Sequence, residues 1–334
     1  MMCWQKKWAL ILKINDYYAL LNKGIFFCLL FFAVTFLYGQ ADEKKAASSW
    51  QVKFILAFGE KGESPGQLLQ PNGIVVDPSG FIYVADTGNN RIQKFDDKGR
   101  HLSLIGGFGW EREQFQQPMD MCSGNSLDFY IADQENGRIE RYDKDLNWIS
   151  SIYSNQVLPE NLQFGFPISL SMSIHGELFV VDSEYKRILK FNSRFEPTTM
   201  FGDFDWGEGA LDKPAQVFVS RNDQVFVSDQ NKQCLKVFDY FGNFLYDLGL
   251  NILVSPTGIC EGAEKQIIVA DSGLDQVLFF EHTGRLLYQF GSEGEKFGAF
   301  NNPGDVAFKQ NSLYVADTGN NRIQIFKVNV IDSK

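Results

Sequence analysis

Histidine is scarce in this 334-residue chain: three copies, at positions 101, 175 and 282. Singly placed, they offer no spacing that would gather around one metal ion. Cysteine is nearly as thin, with Cys3, Cys28, Cys122, Cys234 and Cys260 scattered and no C-x-x-C pair. That removes a zinc cluster and a disulfide framework, and leaves small buried apolar side chains as the expectation. No G-x-S-x-G element and no Cys/His pairing marks a nucleophile. No cofactor and no metal are therefore expected.

Basic charge is also short. Lys and Arg number 31 against 41 Asp and Glu, a net charge of −10. Residues 1–41 carry Lys6, Lys7, Lys13 and Lys23 against Asp16, so the remaining chain stands at −10 − 3 = −13. A body that acidic, with no basic stripe, repels phosphate backbones and argues against nucleic acid as a partner.

A membrane-length apolar run, which needs roughly 20 residues, is missing as well. The longest such stretch is Ile25–Tyr38, preceded by a basic lead and followed by Gly39-Gln-Ala41. Basic lead, short apolar run and small residues predict a secretory signal over 1–41, cleaved after Ala41, or else an uncleaved anchor. Either way the body is expected outside the cytoplasm, touching a membrane only through this segment. Residues 42–49 read as a linker and 329–334 as a tail.

What is present in quantity is aromatic and glycine: 31 Phe, 12 Tyr, 6 Trp and 30 Gly. Aromatics favour strands and Gly favours tight turns. The segment Val84-ADTGNNRIQK-Phe95 recurs as Val315-ADTGNNRIQI-Phe326, and both belong to a series of six. The series aligns on Asp86, Asp133, Asp182, Asp229, Asp271 and Asp317, at intervals of 47, 49, 47, 42 and 46 residues. Nine residues after each Asp stands an aromatic: Phe95, Tyr142, Phe191, Phe238, Phe280 and Phe326. A Pro precedes each Asp, by fifteen residues in five copies and fourteen in the sixth, and an apolar residue stands three before each Pro. A period of this size marks a solenoid or a propeller.

Each copy divides into four short strands separated by Gly, Asn and Asp turns, which is a propeller blade. The last copy holds only three strands before the tail, whereas Trp50-QVKFILAF-Gly59 repeats the fourth-strand pattern of Leu286-LYQF-Gly291. The spacing therefore predicts an all-β, six-bladed propeller over 50–328. Residues 50–58 supply the outer strand of its last blade and remove the open join.

Ile82-YVADTGNNRIQK-Phe95 and Leu313-YVADTGNNRIQI-Phe326 resemble the NHL repeat family of six-bladed propellers. The resemblance implies the fold firmly and the function loosely, since the family includes RNA readers, ubiquitin-ligase adaptors, sensor domains and an amidating lyase. That lyase holds its metal with histidines converging on the channel, and the three His here map to different blades.

The repeated Asp reads as scaffold, accepting N–H bonds from its own turn. Arg91, Arg138, Arg187 and Arg322, five residues on, read as its partners across blades, or as lining of the channel mouth. Catalysis and selectivity need departures from the repeat. Two residues past each Pro the letters differ: Gly73, Asp120, Ser169, Gln216, Gly258 and Asp305. Between blades, Gly106-GFGWEREQ-Phe115 and Gly202-DFDWGEG-Ala210 place Trp110 and Trp206 beside charged residues, among them Arg112 and Asp205. Trp beside carboxylates suits a peptide, a sugar or a cationic partner, or packs over a blade seam. The expected function is a non-catalytic binding or scaffold module, acting as a monomer on a protein, peptide or carbohydrate. The alternative is a metal-dependent hydrolase or lyase of the gluconolactonase type.

Overall fold

The computed structural model describes residues 49–123, 128–154, 158–203 and 207–331. The chain divides into two compact units, residues 1–50 with 330–334, and residues 51–329. Residues 1–48, with the segment read as a signal, lie outside the described part.

Residues 51–329 form six four-stranded antiparallel sheets in a ring, the expected propeller. Blade one comprises strands Ile74–Val76, Ile82–Asp86, Arg91–Phe95 and His101–Gly106, paired in chain order. Blades two to five repeat that order, and their first strands open at the marker prolines Pro118, Pro167, Pro214 and Pro256. Proline suits this place because a first strand residue need not donate to the ladder.

Blade six departs as expected: strands Asp305–Lys309, Ser312–Asp317 and Arg322–Ile331 are completed by Ser49–Phe58 on the outside. Phe54 stacks on Phe297 at 4.6 Å and meets the Phe326 ring edge-on at 5.9 Å, locking that strand in place. The closure thus joins the two ends of the ring-forming sequence.

The apolar core lies between blades. The second strands Ile82–Asp86, Phe129–Asp133, Leu178–Asp182, Val225–Asp229 and Ile267–Asp271 are buried along their whole length. All six aromatics nine residues past the repeated Asp are buried. The apolar residue three before the first marker Pro packs beneath the glycine that ends the preceding sheet. A Cβ on Gly59, at φ +87°, would lie 2.5 Å from Leu68. Cys122, Cys234 and Cys260 are free, buried thiols, and burial pushes Cys234 up to about 12.

Candidate functional site

The polar letters of the repeat are used inside the fold. Asp86 is fully buried and accepts from Leu69 N (2.7 Å), Asn89 Nδ2 (2.9 Å), Arg91 Nε (2.6 Å) and Gln93 Nε2 (2.9 Å). It thereby pins the connection that enters blade one to that blade's own second turn. Asp133, Asp182, Asp229, Asp271 and Asp317 are equally buried and hold their connections through Gln116 N, Gly165 N, Asp212 N, Val254 N and Asn301 N.

The four arginines complete this clamp rather than reaching a neighbouring blade's carboxylate. Arg91 donates to the carbonyls of Glu63, Ser64 and Gln67. Arg138 does so to Trp110, Glu111 and Gln114, Arg187 to Asn161 and Gln163, and Arg322 to Glu295, Lys296 and Ala299. Their guanidinium donors are thus engaged by main-chain oxygen and are buried or nearly so. Blades four and five have Cys234 and Gln276 instead of Arg. There the carboxylate takes main-chain donors from its own turn, Lys232 N for Asp229 and Gly273 N with Leu274 N for Asp271.

The near-identity of the two TGNN segments has the same cause. Thr87 Oγ1 donates to Pro118 O and Thr318 Oγ1 to Pro71 O, each 2.7 Å and each reaching the next blade. Asn90 and Asn321 adopt left-handed φ of 54° and 55°, where Asn is better tolerated than most side chains. Their amide oxygens accept from Gln117 N and Gln70 N. Blade six thus grips blade one with the same letters by which blade one grips blade two.

On the axis, the residues two past each Pro form an interlock. Asp120 Oδ2 accepts from Leu170 N (3.0 Å) and Ser169 Oγ (2.7 Å), and Ser169 Oγ accepts from Val217 N (3.2 Å). Gln216 Oε1 accepts from Ile259 N, and Asp305 Oδ2 from Ile74 N (2.9 Å). In each case the side chain satisfies the first-strand amide of the following blade.

Gly73 and Gly258 have no side chain to offer, and their followers supply their own. Asp120 Oδ1 caps Met121 N and Asp305 Oδ1 caps Val306 N, both 2.7 Å. The glycines are required there, because a Cβ on Gly73 would stand 2.7 Å from Asp120 Cα, and one on Gly258 2.5 Å from Asp305 Cα. Gln216 Nε2 also donates to Asp305 Oδ1 at 2.7 Å, across from blade four to blade six.

This layer lies between two chambers of about 310 and 320 Å³ that share Asp120, Gln216 and Asp305 in their walls. The first opens toward the connection face, with Asn72, Gln134, Ser183, Lys213 and Gln230 around it. The second follows the inner strands toward the opposite face, past Cys122, Phe218 and Cys260. Among the described residues no three His, Cys, Asp or Glu side chains come together as metal ligands. Of the histidines, His175 lies beside Asp223 and His282 beside Gln224, both at turns of the opposite face, and His101 stands on an outer strand.

Burial raises Asp120 from 3.8 to about 6, and burial together with the Asp120 charge raises Asp305 as well. A carboxyl whose folded value exceeds its unfolded one stabilises the protein below the unfolded value and loses that contribution as pH rises through the folded one. Between pH 4 and 7 the Asp120 contribution should therefore fall by on the order of 3 kcal/mol. Urea unfolding of wild type and Asp120→Asn across that range should give a stability difference that shifts in favour of the variant as pH rises. A pH-independent difference would refute the assignment.

Of the remaining candidates, Trp110 and Arg112 lie on the connection that enters blade two. Trp110 is 74% exposed and covers no seam; its carbonyl is the acceptor for Arg138. Arg112 is exposed and its guanidinium stacks over the Trp148 ring at 4.0 Å. Asp205 and Trp206 lie outside the described residues. Four further aromatics, Phe108, Tyr153, Phe166 and Tyr185, are exposed on the same side and were not among the candidate site residues of the sequence. Tyr153 reaches Arg138 through its hydroxyl, Tyr185 stacks against Arg187 at 4.6 Å, and Phe166 O accepts from Ser183 at the chamber wall. The signal that could have found them is an aromatic outside the six repeat positions.

The fold and its internal clamps define a six-bladed β-propeller of Asp-clamped blades. The NHL repeat model matches residues 68–95 and 300–326, so the chain carries NHL repeats within a six-bladed β-propeller. The E3 ubiquitin-protein ligase TRIM71 of Rattus norvegicus is 49% identical over 45 residues, 14% of this chain and 5% of that protein. The stretches matched cover 4–8% of the length of such relatives. Among solved structures, virginiamycin B lyase from Staphylococcus aureus superposes with TM-score 0.57 at 10% identity, covering 84% of this chain and 99% of that one. An auxiliary nutrient binding protein from Bacteroides ovatus gives 0.62 at 13% identity, covering 84% and 77%. At these identities the likeness is one of fold, and the fold serves an enzyme and a binding protein alike.

Proposed function

We propose that this chain is an exported, non-catalytic propeller that binds a protein or peptide on the connection face of blades two and three. The observation that carries the reading is a division of labour. The repeated polar letters and the axial residues have their hydrogen-bonding capacity engaged within the fold, while Phe108 and Trp110, 67% and 74% exposed, project from a connection whose backbone bridge is shared with the connections entering blades one and six. Exposed aromatics grouped on a rigid frame are typical anchors of protein interfaces. A protein as the object of binding also agrees with the short match to a ubiquitin-protein ligase. Export rests on the basic lead and apolar run of residues 1–41.

The double variant Phe108→Ala/Trp110→Ala should keep its melting temperature, since both rings are exposed, and should lose partner capture from the extracytoplasmic fraction. An aromatic anchor is worth about 2–4 kcal/mol, so affinity should fall at least thirty-fold or so. Capture undiminished by the double variant would overturn the reading.

A further inference from the structure

We propose that the segment received on this face is basic, an exposed stretch of a partner carrying Arg or Lys; this rests on the reading of the face as a protein-binding surface. Around Trp110, Tyr153, Phe166 and Tyr185 the two signs of charge are treated unequally. The acidic side chains Glu111, Glu113, Glu135, Glu160 and Glu184 are all exposed. No described residue forms an ion pair with any of them.

The four cations nearest these rings are committed elsewhere. Arg138 and Arg187 are buried against their Asp and the connection carbonyls. Arg112 lies flat on Trp148, and Lys186 pairs with Asp212 at 3.1 Å. The face therefore presents unneutralised carboxylates interleaved with exposed rings. Carboxylates attract and orient a guanidinium or ammonium, and aromatic faces receive it through their quadrupole. An acidic or phosphorylated segment would meet five exposed carboxylates against the single exposed guanidinium of Arg112, and a purely apolar one would leave those carboxylates partly desolvated without partners.

Purified full-length protein on an array of random-sequence peptides tests this. Captured spots should be enriched in Arg and Lys, and signal should fall about ten-fold or more in roughly 1 M salt, where the Debye length shrinks to about 3 Å. In the variant Glu111→Lys/Glu113→Lys/Glu135→Lys/Glu184→Lys the preference should invert toward acidic spots, with an unchanged melting temperature confirming the fold. Captured spots without basic enrichment, or a preference untouched by the four reversals, would overturn the inference and leave the binding reading standing. No captured spot at all, with the protein folded, would count against both.

Discussion

Asp305→Ala is expected to destabilise the propeller by about 3–5 kcal/mol, read as the drop in unfolding free energy in urea. Three donors converge on this one side chain: Ile74 N from blade one, Val306 N from its own blade and Gln216 Nε2 from blade four. Alanine would leave all three without an acceptor where the side chain they bind is only 3% exposed, and an orphaned buried donor costs about 1–3 kcal/mol. Part of that cost is offset, because burial and the neighbouring Asp120 charge disfavour the ionised carboxylate to begin with. Ser169→Ala, which orphans the single amide of Val217, should cost about 1–2 kcal/mol. If both variants unfold with similar, sub-kilocalorie changes, the axial layer is filler between blades rather than a fastening.

Asp86→Ala should have an effect of the same size for a different reason. Its removal abandons the Arg91 guanidinium, which is only 10% exposed, with carbonyl partners but no countercharge. Breaking a buried ion pair from one side typically costs about 3–5 kcal/mol. The contrast with Asp229→Ala isolates that cause. Asp229 clamps its connection through Asp212 N and Lys213 N and takes Lys232 N from its own turn, and Cys234 stands where the arginine would be. No cation is stranded there, so the loss should be smaller by about 1–2 kcal/mol. Equal losses at the two positions would mean that the arginines contribute nothing beyond the amide bonds.

Only the letters of the clamp were readable in the sequence, not its partners: the arginines were read as pairing across blades or lining the mouth, whereas Arg91 binds its own blade's Asp86 and connection carbonyls far off in the chain. Asp86, Asn89, Arg91 and Gln93 lie close together along the chain and repeat at a fixed period, so their pattern survives as letters. The closure of blade six was readable for a similar reason: Trp50–Phe58 looks like a fourth strand wherever it stands. The axial layer was visible only as disagreement. Its residues Gly73, Asp120, Ser169, Gln216, Gly258 and Asp305 look like free variation suited to ligand choice. In the structure they are two solutions to one problem, an acceptor for the next blade's amide, or a glycine followed by an aspartate that caps itself. The partner of each lies a whole blade away, beyond the reach of a local pattern. The exposure of Trp110 was equally hidden, since a tryptophan on a connection can fold down over a seam or stand clear, and the letters are the same.

The arrangement of the closing blade also sets the order of events when the polypeptide is made. Ser49–Phe58 leaves the ribosome long before Arg322–Ile331 exists, so its hydrogen-bonding edge must wait, unpaired, through the synthesis of five sheets. Such an edge is a template for wrong pairing. Joining positions this remote in sequence also makes ring completion a slow, late step. A newborn chain stalled before Arg322 would expose that orphan strand and the edge of Ser312–Asp317, the two sides of a slot whose filling strand has not yet been made.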